Sequence, residues 1–418
     1  MGVLDVTGGD AVVHPTRRAA FALPAAFFIN RLPLVAKEKA YFPPPDAKGG
    51  WRTLKDAPSI AKHAGLDTTK LDAAFEACKE TSQHGGLLVA RHGYLVYERY
   101  FGRGAREATP ELASCGKAYT SISVGVLMGQ KRDRFPDGLS QKVFTGDYMI
   151  GEAFPLDDAR KADIQLGQLL AMSAGIRGTN PGYVKGEKVV LNPPAQDGPI
   201  ATTDPVALHQ PLWCAPGGGY SYATSSPHLA SMVVRQLSGM EMEQYMRVHI
   251  GEPCGWGRWG YAMHRPNLKM DHTPGGGSIA VRSTDVLRFA YLLLRQGKWE
   301  GREVLPADYV AKCGALSPYN PHYPYSLMFE VNGDNHVAGA PSDAFWKSGA
   351  GGFCIYVVPS LDLVIYKMGG NEGQYNPELT GLPVLYSYDG SRDGWKPAPG
   401  AGDGSRKVLE RVVSAVKI

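Results

Sequence analysis

The sequence predicts an α/β fold of the α+β type. One antiparallel sheet is assembled from both chain ends and flanked by helices, and a mostly helical domain is inserted between its two parts. Three observations lead there. Two β-rich runs within residues 86–100 are separated only by His92-Gly93, which reads as a tight hairpin. Two more runs, 352–358 and 363–368, flank Pro359-Ser360-Leu361-Asp362 as a second hairpin near the other end. Between the hairpins the chain turns to helical periodicity and long loops. The expected boundaries are an extension over 1–50, a sheet domain from 51–110 plus 275–418, and an inserted domain over 111–274. A lid-like loop is expected at 176–215.

The elements follow in order. Residues 1–50 carry no apolar periodicity and end near Pro43-Pro44-Pro45. Over 68–83, Leu71, Ala74, Phe75 and Cys78 fall on one helical face behind a threonine cap. The first hairpin comes next. A helix then opens at Ser114 and runs through apolar residues to Met128. Residues 164–175 read as an amphipathic helix closed by Gly175. Residues 176–215 are rich in proline and show no regular pattern, and a loop that long inside a domain is usually functional. Helices over 225–239 and 284–296 precede the second hairpin. A loop rich in Gly, Asp and Pro (389–404) leads to a final helix, with Val408, Leu409, Val412, Val413 and Val416 on one face.

Composition narrows the function. At 418 residues, 44% hydrophobic and 20% charged, the chain is an ordinary globular one with room for two domains or one composite domain. A net charge of +4 without runs of like charge gives no basis for binding nucleic acid or an anionic membrane. No apolar segment is long enough to span a bilayer. The six cysteines form no Cys-x-x-Cys pair and are expected as free, buried thiols. The eleven histidines form no metal-ligand pattern, so no metal and no cofactor are expected. Nothing in the sequence sets the oligomeric state. Thr16-Arg17-Arg18 and the apolar residues after it resemble a twin-arginine export signal. Pro24 interrupts that run and no Ala-x-Ala site follows, so a cytoplasmic location is expected, with export as the alternative.

The chemistry centres on Ser114-Cys115-Gly116-Lys117. Residues three apart on a helix share a face, so the Lys117 amine can reach the Ser114 hydroxyl. A helix N-terminus also offers unpaired N–H groups to an oxyanion. Ser-x-x-Lys alone is a weak signal, because it also occurs at Ser59/Lys62 and Ser414/Lys417. Only Ser114 follows a strand pair and precedes a long apolar run. A serine hydroxyl needs an adjacent base, and only about one lysine in 2,500 is neutral at pH 7. Burial can lower a lysine by about 3–5 pKa units, which makes it a usable base.

Two further clusters are Pro216-Gly-Gly-Gly-Tyr-Ser-Tyr222-Ala223-Thr224 and Ala344-Phe-Trp-Lys347-Ser348-Gly349-Ala350. In this order they resemble Ser-x-x-Lys, Tyr-x-Asn and Lys-Thr-Gly of the serine β-lactamase and penicillin-binding-protein superfamily. The resemblance is to the branch of class C β-lactamases, family VIII carboxylesterases and related hydrolases. It covers roughly residues 65–372, including the stretch Gly275-Gly-Gly-Ser-Ile-Ala-Val-Arg. It implies a β-lactamase/transpeptidase-like fold, with Ser114 as nucleophile and Lys117 and Tyr222 as proton carriers. Lys347, Ser348 and Gly349 would bind substrate. The N–H groups of Ser114 and Ala350 would form an oxyanion hole. The family's asparagine is Thr224 here, which has a shorter reach and no amide. Its Lys-Thr-Gly is Lys-Ser-Gly, a milder change.

The resemblance therefore implies a serine hydrolase working through an acyl-enzyme, with a small-molecule ester or amide as substrate. The Thr224 departure moves the expectation towards a carboxylesterase. An amide hydrolase, whether β-lactamase, D-amino-acid peptidase or oligomeric-amide hydrolase, is the alternative. A catalytically silent binding protein on the same fold is a third reading, opposed by intact Ser114, Lys117 and Tyr222. Trp346 and Tyr220 are expected to pack, and Tyr183 and Trp213 are candidates for lining the pocket.

Overall fold

In the computed structural model, which describes residues 40–192, 195–265, 267–397 and 404–417, alternating apolar side chains build a seven-stranded antiparallel sheet. The Arg17-Arg18 stretch and most of the expected extension lie outside the described residues. The strands are β1 (Gly85–Arg91), β2 (Tyr94–Phe101), β3 (Tyr325–Ser326), β4 (Phe329–Val331), β5 (Phe345–Gly349), β6 (Phe353–Val358) and β7 (Leu363–Met368). Their spatial order is β3-β4-β5-β6-β7-β1-β2. The early and late parts of the chain meet where β1 pairs with β7, Leu88 opposite Tyr366 and Ala90 opposite Val364. His92 and Gly93 both take left-handed conformations (φ +52° and +76°), the geometry that a two-residue hairpin turn requires.

Because successive strand residues point to opposite faces, the sheet separates two cores. Leu88, Ala90, Phe353, Ile355, Val364 and Tyr366 join the larger one. Leu87, Val89, Cys354, Tyr356 and Ile365 join the other. Helices α1 (Thr68–Thr81) and α5 (Ser405–Ser414) cover this second face with Leu71, Phe75, Val408, Leu409 and Val412. Asp67 caps α1 by accepting the Thr69 N–H at 3.0 Å. The larger core holds α2 (Gly116–Gln130), α3 (Ser225–Ser238) and α4 (Ser283–Leu294). Tyr119 of α2 stacks on Phe289 of α4 with ring centres 4.0 Å apart. Each large apolar side chain buried here contributes about 1.5–3 kcal/mol.

Three features depart from the sequence reading. The helix expected over 164–175 spans only Leu166–Leu170. Met172 is left-handed (φ +57°), and tertiary partners take the backbone groups: Met328 N–H donates to the Leu170 carbonyl and Ser221 N–H to that of Met172. Residues 176–215 are not featureless. They hold a hairpin of Gly182–Val184 with Glu187–Val189, a 3₁₀ turn at Gly198–Thr202 and a short helix at Asp204–Leu208. The sheet also extends to β3 and β4, joined by Leu327-Met328 in a left-handed turn (φ +30° and +70°) without glycine or asparagine. All six cysteines are free, and all but the partly exposed Cys214 are buried. Among the described residues no helix is long and apolar enough to cross a membrane.

Candidate active site

A 3₁₀ turn, Ala113–Cys115, leads into α2 and holds Ser114 at the helix mouth. Ala113 sits in the left-handed region (φ +49°), which costs energy for a residue with a Cβ. Its N–H donates to Glu111 Oε1 at 2.9 Å, and buried Glu111 pairs with Arg265 at 3.4 Å. One helical turn on, Lys117 Nζ lies 2.9 Å from Ser114 Oγ and donates to the Gly276 carbonyl at 2.6 Å. That close approach needs glycine. A Cβ on Gly276 would come within 2.5 Å of methyls of Thr202 and Thr224, and one on Gly277 within 2.9 Å of the Ala113 carbonyl.

Tyr222 arrives in an extended segment whose backbone is tied down. The Thr179 N–H donates to its carbonyl at 2.9 Å. Lys117 Nζ and Lys347 Nζ each lie 5.0 Å from the centre of its ring. Strand alternation in β5 sends Phe345 to the larger core and Trp346 to the other. Lys347 therefore points where Phe345 does, towards Tyr222 and Tyr325.

The charges are coupled. Burial holds Lys117 below the usual lysine range, opposed by Tyr222 and reinforced by the Lys347 charge. Burial alone would raise the Tyr222 phenol. The Lys117 and Lys347 ammonium groups outweigh it, with hydrogen bonding to Ser114 and Lys347, and hold the phenol below its ordinary value. Burial pulls Lys347 down, but Tyr222 and Glu330 more than offset it, so Lys347 remains a cation. The buried Cys115 thiol is pushed up to about 12 and bonds to the Lys347 carbonyl, which keeps it protonated at neutral pH.

Glu330 is the residue that sequence reasoning missed. It lies on β4 opposite Trp346, accepts the Trp346 indole N–H at 2.8 Å and accepts the Ser348 hydroxyl at 2.5 Å. It locks the strand that carries Lys347. No motif announces it, because its role depends on β3 and β4 extending the sheet.

Ser114 and Tyr222 open on a cleft of about 440 Å³ that passes Ser348, Gly349 and Ala350 and reaches Thr81 and Ser405. Gly349 packs against the turn that carries Ser114, where a Cβ would come within 2.5 Å of the Leu112 carbonyl. Gln374 Nε2 donates to the carbonyls of both Glu111 and Ala350, tying the turn before Ser114 to the end of β5. Size does not single out this cleft, since a depression of about 440 Å³ also lies over Asp204 and His272; the convergence of groups does. Thr224, Tyr183 and Trp213 are not part of its wall. Thr224 is buried at the start of α3 against Gly276. Tyr183 and Tyr220 pack on Tyr323, with ring centres 4.7 Å and 4.6 Å away.

Comparisons with known proteins bear on the family and the fold. The Beta-lactamase family model matches residues 71–369. No curated protein matches the chain. Among solved structures it is similar to EstCE1, a hydrolase with promiscuous acyltransferase activity, at 16% identity over 76% of this chain and 97% of that one (TM-score 0.55). A family VIII carboxylesterase is similar at 17% over 83% and 97% (TM-score 0.54). A penicillin-binding protein homologue from Caulobacter crescentus is similar at 17% over 75% and 96% (TM-score 0.53). At these identities the likeness is one of fold. The family match spans well over half of the chain, and the protein belongs to the beta-lactamase family, whose members are generally hydrolases.

Proposed function

We propose that the protein is a serine hydrolase that works through an acyl-enzyme on Ser114, and that its substrates are carboxylic esters. The observation that carries this reading is the 2.9 Å contact between Ser114 Oγ and a buried Lys117, beside a Tyr222 ring with the Lys117 and Lys347 amines each 5.0 Å from its centre. Ser114 Oγ attacks the ester carbonyl as its proton passes to the Lys117–Tyr222 pair. The tetrahedral oxyanion is held by the N–H groups of Ser114 and Ala350. Tyr222 returns the proton to the departing alcohol, and Lys347 keeps the phenol acidic enough to do so at moderate pH. Water then attacks the acyl carbonyl with the same pair as base, which frees the acid and restores Ser114. Thr224 supports esters over amides: it has no amide group to bond a substrate amide, and its side chain packs on Gly276 away from the cleft wall.

The test is turnover and intact-protein mass after brief exposure to a p-nitrophenyl ester and, separately, to a chromogenic cephalosporin. An ester-derived adduct or turnover that is lost in Ser114→Ala and absent with the cephalosporin is the expected result. Rapid cephalosporin turnover would make the protein a β-lactamase, and a long-lived cephalosporin adduct a penicillin-binding homologue. Ester hydrolysis undiminished in Ser114→Ala would remove the serine mechanism.

A further inference from the structure

Behind Lys117 lies a polar chain that the mechanism above does not use. The 275–277 glycine loop has no side chains to anchor it, yet two of its carbonyls meet one face of α2. The Gly275 carbonyl accepts the Thr120 hydroxyl at 2.7 Å, and the Gly276 carbonyl accepts Lys117 Nζ at 2.6 Å. On the opposite side the Gly275 N–H donates to Nδ1 of His228, a fully buried residue of α3, at 3.2 Å. Nδ1 is therefore an acceptor, and the ring proton sits on Nε2. Nε2 donates to Asp204 Oδ1 at 2.9 Å. The other Asp204 oxygen accepts from Arg235 at 2.5 Å. Arg235 holds Asp204, Asp204 fixes the imidazole tautomer, and the imidazole fixes the loop.

We propose that His228 is a positioning residue for hydrolysis: its Nδ1 sets the glycine loop so that the Gly276 carbonyl aims Lys117 at Ser114. A neutral lysine that donates one N–H to this carbonyl turns its lone pair towards the serine proton. Without the acceptor on His228, the Gly275 N–H is a buried donor with no partner there, and the loop shifts to find one. A displacement of about 1 Å in such a contact can cost about a hundredfold in rate. The inference rests on the reading of Lys117 as the base.

Two amide substitutions separate the two ring nitrogens. Asn at 228 places an oxygen where Nδ1 was and keeps an acceptor for Gly275. Gln reaches the Nε2 position, keeps Asp204 as partner and offers Gly275 nothing. The full chain is assayed with p-nitrophenyl butyrate for wild type, His228→Asn, His228→Gln, His228→Ala and Ser114→Ala. Hydrogen–deuterium exchange of a peptide covering 270–282 is followed in parallel. His228→Gln is expected to lose about tenfold to a hundredfold in kcat, with KM nearly unchanged and faster exchange in that peptide. His228→Asn is expected to stay within about threefold of wild type on both measures, as a rescue by the conserved acceptor. If thermal melting shows that His228→Gln does not fold, His228→Ala takes its place. His228→Gln equal to wild type, His228→Asn as impaired as His228→Gln, or a loss confined to KM would each overturn the proposal. Exchange reads the loop without any activity, whereas wild-type turnover in Ser114→Ala would sink the Ser114 mechanism instead.

Discussion

Ser114/Lys117 and Ser59/Lys62 share one spacing, and both pairs lie at helix starts, yet their surroundings differ. Asp56 caps the helix Ala57–Ala64 by accepting the Ser59 N–H at 2.8 Å, and Lys62 is exposed to water. Ser414/Lys417 is no closer to chemistry: the Ser414 hydroxyl donates to the Arg411 carbonyl at the surface, and Lys417 is exposed. Lys117 is buried, donates to the Gly276 carbonyl and shares the Tyr222 ring with Lys347, each amine 5.0 Å from its centre. Spacing brings an amine near a hydroxyl. Only removal from water and a fixed partner make that amine a base.

The contrast can be broken most directly at the serines. Ser114→Ala is expected to lower ester turnover by about 10³-fold or more, whereas Ser59→Ala and Ser414→Ala stay within about twofold, as measured by kcat/KM. A comparable loss at Ser59 would collapse the comparison. Lys117→Met and Tyr222→Phe are each expected to cost about 10²–10⁴-fold, with far less than additive loss in the double variant because they carry one proton between them.

Lys347→Met sharpens the electrostatic half. The Lys117–Tyr222 pair must be short of a proton to accept one from Ser114, so activity rises with pH through the pair's apparent pKa. Removing the Lys347 ammonium takes away a charge that lowers the Tyr222 phenol. The acid limb of the pH–kcat/KM profile should therefore move to higher pH. A move to lower pH would reverse the assigned role of Lys347. The smallest effect is expected at Ala113. Ala113→Gly relieves the left-handed strain and should raise stability to urea by about 0.5–1 kcal/mol while lowering kcat.

Much of this was legible in the sequence because its periodicities are local. The strand pairs around His92-Gly93 and Pro359–Leu361, the helices beginning at Thr68 and Ser225, and the apolar face of Val408, Leu409 and Val412 each announce themselves within about twenty residues. The ordered triplet of Ser114, Tyr222 and Lys347 was legible as a resemblance, and the three side chains do converge. What was hidden depends on partners far along the chain. Leu327-Met328 makes a hairpin turn without turn residues, because both side chains are buried and the Met328 N–H is taken by Leu170. The helix at 166–170 stops early for the same contact. Glu330 and His228 look like an ordinary strand carboxylate and a core histidine. Their meaning appears only once Ser348 and Gly275 are set beside them.

The pairing of β1 with β7 also has a kinetic side. Strand β1 and Ser114 leave the ribosome more than 200 residues before Lys347 and the strand that completes β1. Until then β1 presents an open edge, the kind of surface on which nascent chains pair wrongly. Closing so long a loop is entropically slow, and contacts this distant in sequence are among the last to form. Folding intermediates should therefore be inert towards substrate, and truncation before Leu363 should yield aggregates rather than a weakened enzyme.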